Sequence, residues 1–139
     1  MRLVVDASVA LDWCFSSERT EQANRALERV VEEGAFVPAI WPAEVANGLI
    51  SAHRSGRLSG LELAEALSLF RPLRIDVDHQ GRKAYVEKLI VLGTKYGLTS
   101  YDASYLELAL RVRLPLATHD KPLKTAARKA GVRLFLKGA

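Results

Sequence analysis

Cysteine, histidine and long apolar runs are what this chain has least of. Among 139 residues there is one cysteine, Cys14, and one methionine. A lone thiol closes no internal disulfide, which fits a reducing cytoplasm. It also excludes a zinc site built on cysteines, because such sites take two to four of them. The three histidines, His53, His79 and His119, form no H-x-H or H-x-x-x-H pair, so their spacing suggests no imidazole metal site. The opening MRLVVDASVALDWCF is apolar, but Asp6 and Asp12 interrupt it and no signal-peptide cleavage pattern follows. No stretch approaches the roughly 18 uninterrupted apolar residues of a membrane span. Internal repeats, linkers and low-complexity segments are missing as well. What remains is 49% apolar and 26% charged, the composition of one globular domain over residues 1–139, expected in the cytoplasm and off the membrane.

Charge is present but unevenly placed. Residues 1–110 carry 12 Lys/Arg against 15 Asp/Glu, whereas residues 111–139 carry eight basic residues against Asp120 alone. A basic block beside a mildly acidic body points to a polyanionic partner, and nucleic acid is the commonest. Within it Lys121, Lys124 and Arg128 recur at helical spacing opposite Leu123 and Ala127, a stripe suited to RNA phosphates or simply to water.

Short apolar strands alternate with helical patterns along the whole chain. Strands are expected at residues 3–5, 35–38, 74–77, 114–117 and 133–135. Helices are expected from Val9, capped by Ser8; from Glu18 to Glu33, with Ala23, Ala26, Leu27, Val30 and Val31 on one stripe; and from Pro42 to about Gly56, with Val45, Leu49 and Ile50 inward. Four more follow at 59–70, 78–96 (capped by Asp78), 100–111 (capped by Thr99) and 121–130. This order implies an α/β fold, three layers α/β/α around a mainly parallel sheet.

In such sheets ligands bind beyond the carboxyl ends of the strands. Asp6 closes the first strand and Asp120 follows the fourth. Glu44, in WPAEVANGL, and Asp102, in TSYDASYLELAL, sit in the first turns of helices that begin at the same edge. Each acid also has an ordinary reading: a turn cap for Asp6, an N-cap for Asp120, a first-turn acid for Glu44, and a Thr99-x-x-Asp102 capping box. Four such coincidences at one edge point further. Converging carboxylates repel unless a cation lies among them, and an all-oxygen set suits magnesium or manganese. Asn47 shares the Glu44 face, and Gly48 would let another backbone come close. Trp13, Trp41 and Cys14 read as packing residues, while His119 lies where it could touch a substrate beside Asp120.

VVDASVALDW, PAEVANGL, LTSYDASYLELALRVRLPLATHD and the following KPLKTAA resemble, in order and spacing, the PIN-domain ribonucleases, and among them the VapC-type toxins of toxin–antitoxin pairs. The resemblance covers nearly the full length. It implies a PIN-like fold and a Mg²⁺- or Mn²⁺-dependent endoribonuclease that hydrolyses RNA directly, leaving a 5′-phosphate and a 3′-hydroxyl. It carries over Asp6, Glu44, Asp102 and Asp120 as the acidic quartet, with Ser8, Asn47 and Thr118 as supporting polar residues. It further implies an RNA substrate, a small cognate antitoxin and a homodimer. Other readings fit less well. A haloacid-dehalogenase-type phosphatase needs an acid where Ser8 stands, and a response-regulator receiver domain wants paired acids near the first strand. Both leave Glu44 and Asp102 without a role. A PIN-like module that binds RNA or protein without cutting it, and an RNA-processing PIN nuclease without an antitoxin, remain the alternatives.

Overall fold

The computed structural model describes residues 1–15, 19–79 and 83–135. Its centre is β1 (Leu3–Val5), whose three apolar residues are wholly buried, as a parallel strand covered on both faces requires. Along the chain follow α1 (Ala7–Cys14), α2 (Glu21–Glu33), β2 (Ala35–Pro38), α3 (Trp41–Arg54) and α4 (Gly60–Phe70). After these come β3 (Ile75–Asp78), α5 (Lys83–Tyr96), α6 (Ser100–Val112), β4 (Leu116–Ala117) and α7 (Lys121–Ala130). The strands lie in the order β3-β2-β1-β4, and every described pairing is parallel. Helix α1 packs on α2, α3 and α4; α6 packs on α5, α7 and the strands β1, β2 and β4. The expected α/β/α layering is therefore present.

Local chemistry explains most boundaries. Thr20 caps α2 by accepting from the Ala23 N–H, and Gly34, at φ +86°, ends it where a side chain would be strained. Ser59 and Glu62 make a complete capping box for α4, with reciprocal bonds of 3.1 and 2.9 Å. Pro42 stands in the first turn of α3, where its missing N–H costs nothing. Trp13 is buried against Phe70, and its indole N–H reaches the Ala23 carbonyl at 2.8 Å, tying α1 to α2. Trp41 packs edge-on to the same Phe70 ring, so both tryptophans serve the core.

Several expectations need correction. The α1 cap is Asp6, not Ser8, because the Asp6 backbone is still extended while its carboxylate takes the Val9 N–H. In α2 the buried stripe is Ala23, Ala26 and Val30; Val31, one residue or 100° further round, faces out. Ile50 is turned outward beside buried Leu49 for the same reason. The start of the second helical pattern, Glu18, lies outside the described residues. Asp78 ends β3 and pairs with Arg111 at 2.6 Å, while Arg111 also binds Glu107 at 2.9 Å. Helix α5 is described only from Lys83, and residues 80–82, where the cap expected of Asp78 would act, lie outside the described residues. The pattern at 114–117 keeps only Leu116 and Ala117 as strand, and the segment at 133–135 touches the sheet through one parallel bridge, Leu116 to Leu134.

Candidate active site

Four helices present their N-termini to the edge where β1 and β4 end. Asp6 is the N-cap of α1, its Oδ1 accepting from the Val9 N–H at 3.1 Å. Asp120 is the N-cap of α7, its Oδ2 accepting from the Leu123 N–H at 2.9 Å. Glu44 and Asp102 occupy the first turns of α3 and α6. The ordinary cap readings of Asp6 and Asp120 therefore hold, and they do not compete with a site. Capping aims each carboxylate at the strand edge, and the helix dipoles favour negative charge there. Asp102 behaves differently: its N–H is taken by Thr99 Oγ1 at 3.1 Å, but no donor among the described residues holds its carboxylate.

Electrostatics shows that Asp102 feels the other three acids. The Asp102 carboxyl is pushed up to about 6 by burial and by the charges of Asp120, Asp6 and Glu44. Burial raises Asp6 too, opposed by hydrogen bonds from Ser8, Thr118 and the Val9 N–H and by His119. A cation among the acids would offset the charge that presses on Asp102.

The polar residues around them form a lacing. Ser8 Oγ donates to Asp6 Oδ1 at 2.6 Å and accepts the His119 N–H at 3.1 Å. Thr118 Oγ1 donates to Asp6 Oδ2 and accepts the Asp120 N–H. Two hydroxyls thus fix the β4–α7 turn to the start of α1. A residue that sequence reasoning missed completes the set: the Tyr105 hydroxyl donates to Glu44 Oε1 at 2.6 Å. Tyr105 stands one turn after Asp102, so helical spacing alone could have placed it on the same face. The carboxylate raises its phenol well above the ordinary value, after burial.

Other candidates fall elsewhere. Asn47 is exposed and makes no hydrogen bond among the described residues, so the expected support from it is not seen. Gly48 admits not a backbone but the Leu11 side chain, whose Cδ1 would stand 2.5 Å from an added Cβ. Lys121, Lys124 and Arg128 line the outer face of α7, with Leu123 and Ala127 buried opposite. His53 and His79 are exposed, whereas His119 turns its Nε2 to Asp12 Oδ2 at 3.1 Å. Cys14 is half-buried, and burial pushes its thiol up to about 11, as expected of an inert residue.

The donor set, all carboxylate oxygen, is chemically right for a hard divalent cation. As the side chains lie, no three Asp, Glu, His or Cys residues among those described close around a common ion. Their oxygens are instead held by protein donors, both oxygens of Asp6, one of Glu44 and one of Asp120. The residues fit the cation by chemistry and charge.

Comparison with known proteins follows the same line. The PIN domain model matches residues 3–129. Ribonuclease VapC3 from Pyrobaculum aerophilum is 35% identical over 130 residues, spanning 88% of this chain and 92% of that protein. The fold is similar to that of FitAcB from Neisseria gonorrhoeae, with a TM-score of 0.66 and 19% identity, covering 96% of both chains. It is also similar to PAE2754 from Pyrobaculum aerophilum, with a TM-score of 0.63 and 21% identity over 91% of this chain and 84% of that one. Across nearly its whole length, then, this chain belongs to the PIN-domain family and has a VapC ribonuclease among its relatives.

Proposed function

We propose that the protein is a divalent-metal-dependent endoribonuclease and the toxin of a toxin–antitoxin pair. The observation that carries the site is Asp102, a carboxyl raised by burial and by three other acids brought from three separate helices. Family membership and the VapC relative support the nuclease class. Asp6, Asp102 and Asp120, with Glu44, would hold magnesium or manganese. When bound, such an ion supplies the charge that activates water and offsets the phosphate.

The chain's own residues do the rest by position. Ser8 and Thr118 hold Asp6 from both sides, so its carboxylate cannot turn away from the strand edge. Tyr105 fixes Glu44 through one oxygen and leaves the other to orient a water. Asp120, tethered through its N–H to Thr118, keeps α7 in register with the site. The basic outer face of α7 then grips phosphates along the strand being cut.

Partners follow from exposed apolar surface. Helix α5 has no buried residue, and it exposes Val86, Ile90 and Val91 beside a cavity of about 560 Å³ shared with α6. A second copy of the chain is the occupant we assign to it. Ile50, Leu61 and Leu67, exposed on α3 and α4, would receive an antitoxin segment.

The test is incubation of the purified protein with total and transfer RNA, in manganese or magnesium against EDTA, beside Asp6→Asn and Asp102→Asn. Discrete cuts that require metal and vanish in both variants support the proposal. Absence of any cut, or cuts that survive both substitutions, would return the protein to the class of non-catalytic binding modules.

A further inference from the structure

A cleft of about 470 Å³ opens beside the acid cluster. It shares Ser8 with the cluster, and its Gly48 lies one turn beyond Glu44 on α3. A phosphate at the acids would therefore bring the adjoining nucleoside to its mouth. We infer that this cleft receives one unpaired base next to the scissile phosphate, and that Asp12 selects a base bearing an exocyclic amino group. The inference rests on the nuclease reading for its substrate.

The walls have the chemistry of base recognition. The Arg57 guanidinium lies over the Phe15 ring, 3.9 Å from its centroid, giving a flat surface of the kind on which unstacked bases lie. Asp12 supplies the selection. Among the described residues, the donors to its carboxylate all fall on Oδ2: the Thr20 N–H at 3.3 Å, Thr20 Oγ1 at 3.1 Å and His119 Nε2 at 3.1 Å. Three donors on one oxygen fix the plane of the carboxylate. Oδ1 receives none among the described residues, and Asp12 lines the cleft. A carboxylate oxygen only accepts. It takes an amino N–H of cytosine, adenine or guanine. Uracil offers one imino N–H between two carbonyl oxygens, which repel an approaching carboxylate.

The substitution Asp12→Asn sharpens the prediction. The three donors keep the amide oxygen at the Oδ2 place, so the amide nitrogen replaces Oδ1 and an acceptor becomes a donor. Selection should then move towards uracil, whose carbonyl oxygens accept.

Hexacytidine and hexauridine share one backbone and differ only on the pairing edge of the base, an amino group and a bare ring nitrogen against a carbonyl and an imino N–H, so they report on this contact. Their binding to the full chain is measured by fluorescence anisotropy in EDTA, and their cleavage separately in manganese. Wild type should bind hexacytidine about fivefold or more tightly than hexauridine, and Asp12→Asn should level or reverse that order. Equal affinity in wild type overturns the inference, and this comparison needs no variant to fold. An unchanged order in a folded Asp12→Asn overturns it too, as does binding to neither RNA; a cleft shaped for a protein side chain would give no base order at all. Cleavage without base discrimination sinks the subsite and spares the nuclease. Base discrimination without cleavage of any RNA sinks the nuclease and keeps the subsite as a binding site.

Discussion

At the scale of the residue, Asp102 carries the clearest pH signature. Its carboxyl is raised from 3.8 to about 6. Below pH 4 it is protonated both folded and unfolded and contributes no penalty. As pH climbs from 4 to 6 the unfolded chain gives up the proton and the folded chain retains it, so the folded state loses stability, fully so above 6. In EDTA the melting temperature should contain a component that falls across this window and is missing in Asp102→Asn. Adding manganese at pH 7 should raise the melting point of wild type and leave that of Asp102→Asn nearly unchanged; equal increments would contradict the assigned role. The acid itself was legible in the sequence as a first-turn residue. Its perturbation was not, because it comes from burial in the folded chain and from charges 18, 58 and 96 residues away along the sequence. The bond from Tyr105 to Glu44 was hidden for the same reason, the two lying 61 residues apart, although helical spacing from Asp102 marks the face on which Tyr105 stands.

Elements answer for a different set of consequences. Asp120 is at once the cap of α7 and a proposed ligand, and two substitutions separate these roles. Asp120→Asn keeps an oxygen for the Leu123 N–H, so cleavage should collapse while urea stability barely changes. Asp120→Ala should lose the cap as well, about 1 kcal/mol. A cleavage-competent Asp120→Asn would remove Asp120 from the site. Further along α6, Arg111 joins the end of β3 to its own helix through Asp78 and Glu107, both buried. Arg111→Leu leaves two buried carboxylates without a partner and should cost about 3 kcal/mol or more in urea unfolding. A loss below about 1 kcal/mol would mean that water already carries much of that charge. Helix periodicity revealed α2, α4, α6 and α7 within a few residues. It misplaced Val31 and Ile50 because apolar character at a helix margin does not say on which side of the boundary the neighbouring helix stops.

For the whole molecule, the unburied face of α5 is the outstanding feature. A second copy seated on Val86, Ile90 and Val91 predicts a dimer by light scattering at micromolar concentration, and Ile90→Glu with Val91→Glu should give a monomer with an unchanged circular dichroism spectrum. A monomeric wild type would assign that face to another partner. Exposure of Ile50, Leu61 and Leu67 on α3 and α4 leaves a second apolar surface, the one proposed above to receive an antitoxin segment.

What the sequence determined by itself was the order of strands and helices, the parallel sheet, and the edge at which four acids begin their helices. These are consequences of local spacing: period 2 against period 3.6, capping chemistry, and the strand-then-helix alternation that allows only parallel pairing. Tertiary structure decided which acids press on Asp102, that Ser8 and Thr118 clamp Asp6, that Tyr105 holds Glu44, and that three donors gather on one oxygen of Asp12 at the wall of a cleft. Those facts depend on distances of a few ångströms between segments remote in sequence. They are set by packing of the whole core, so no local pattern encodes them.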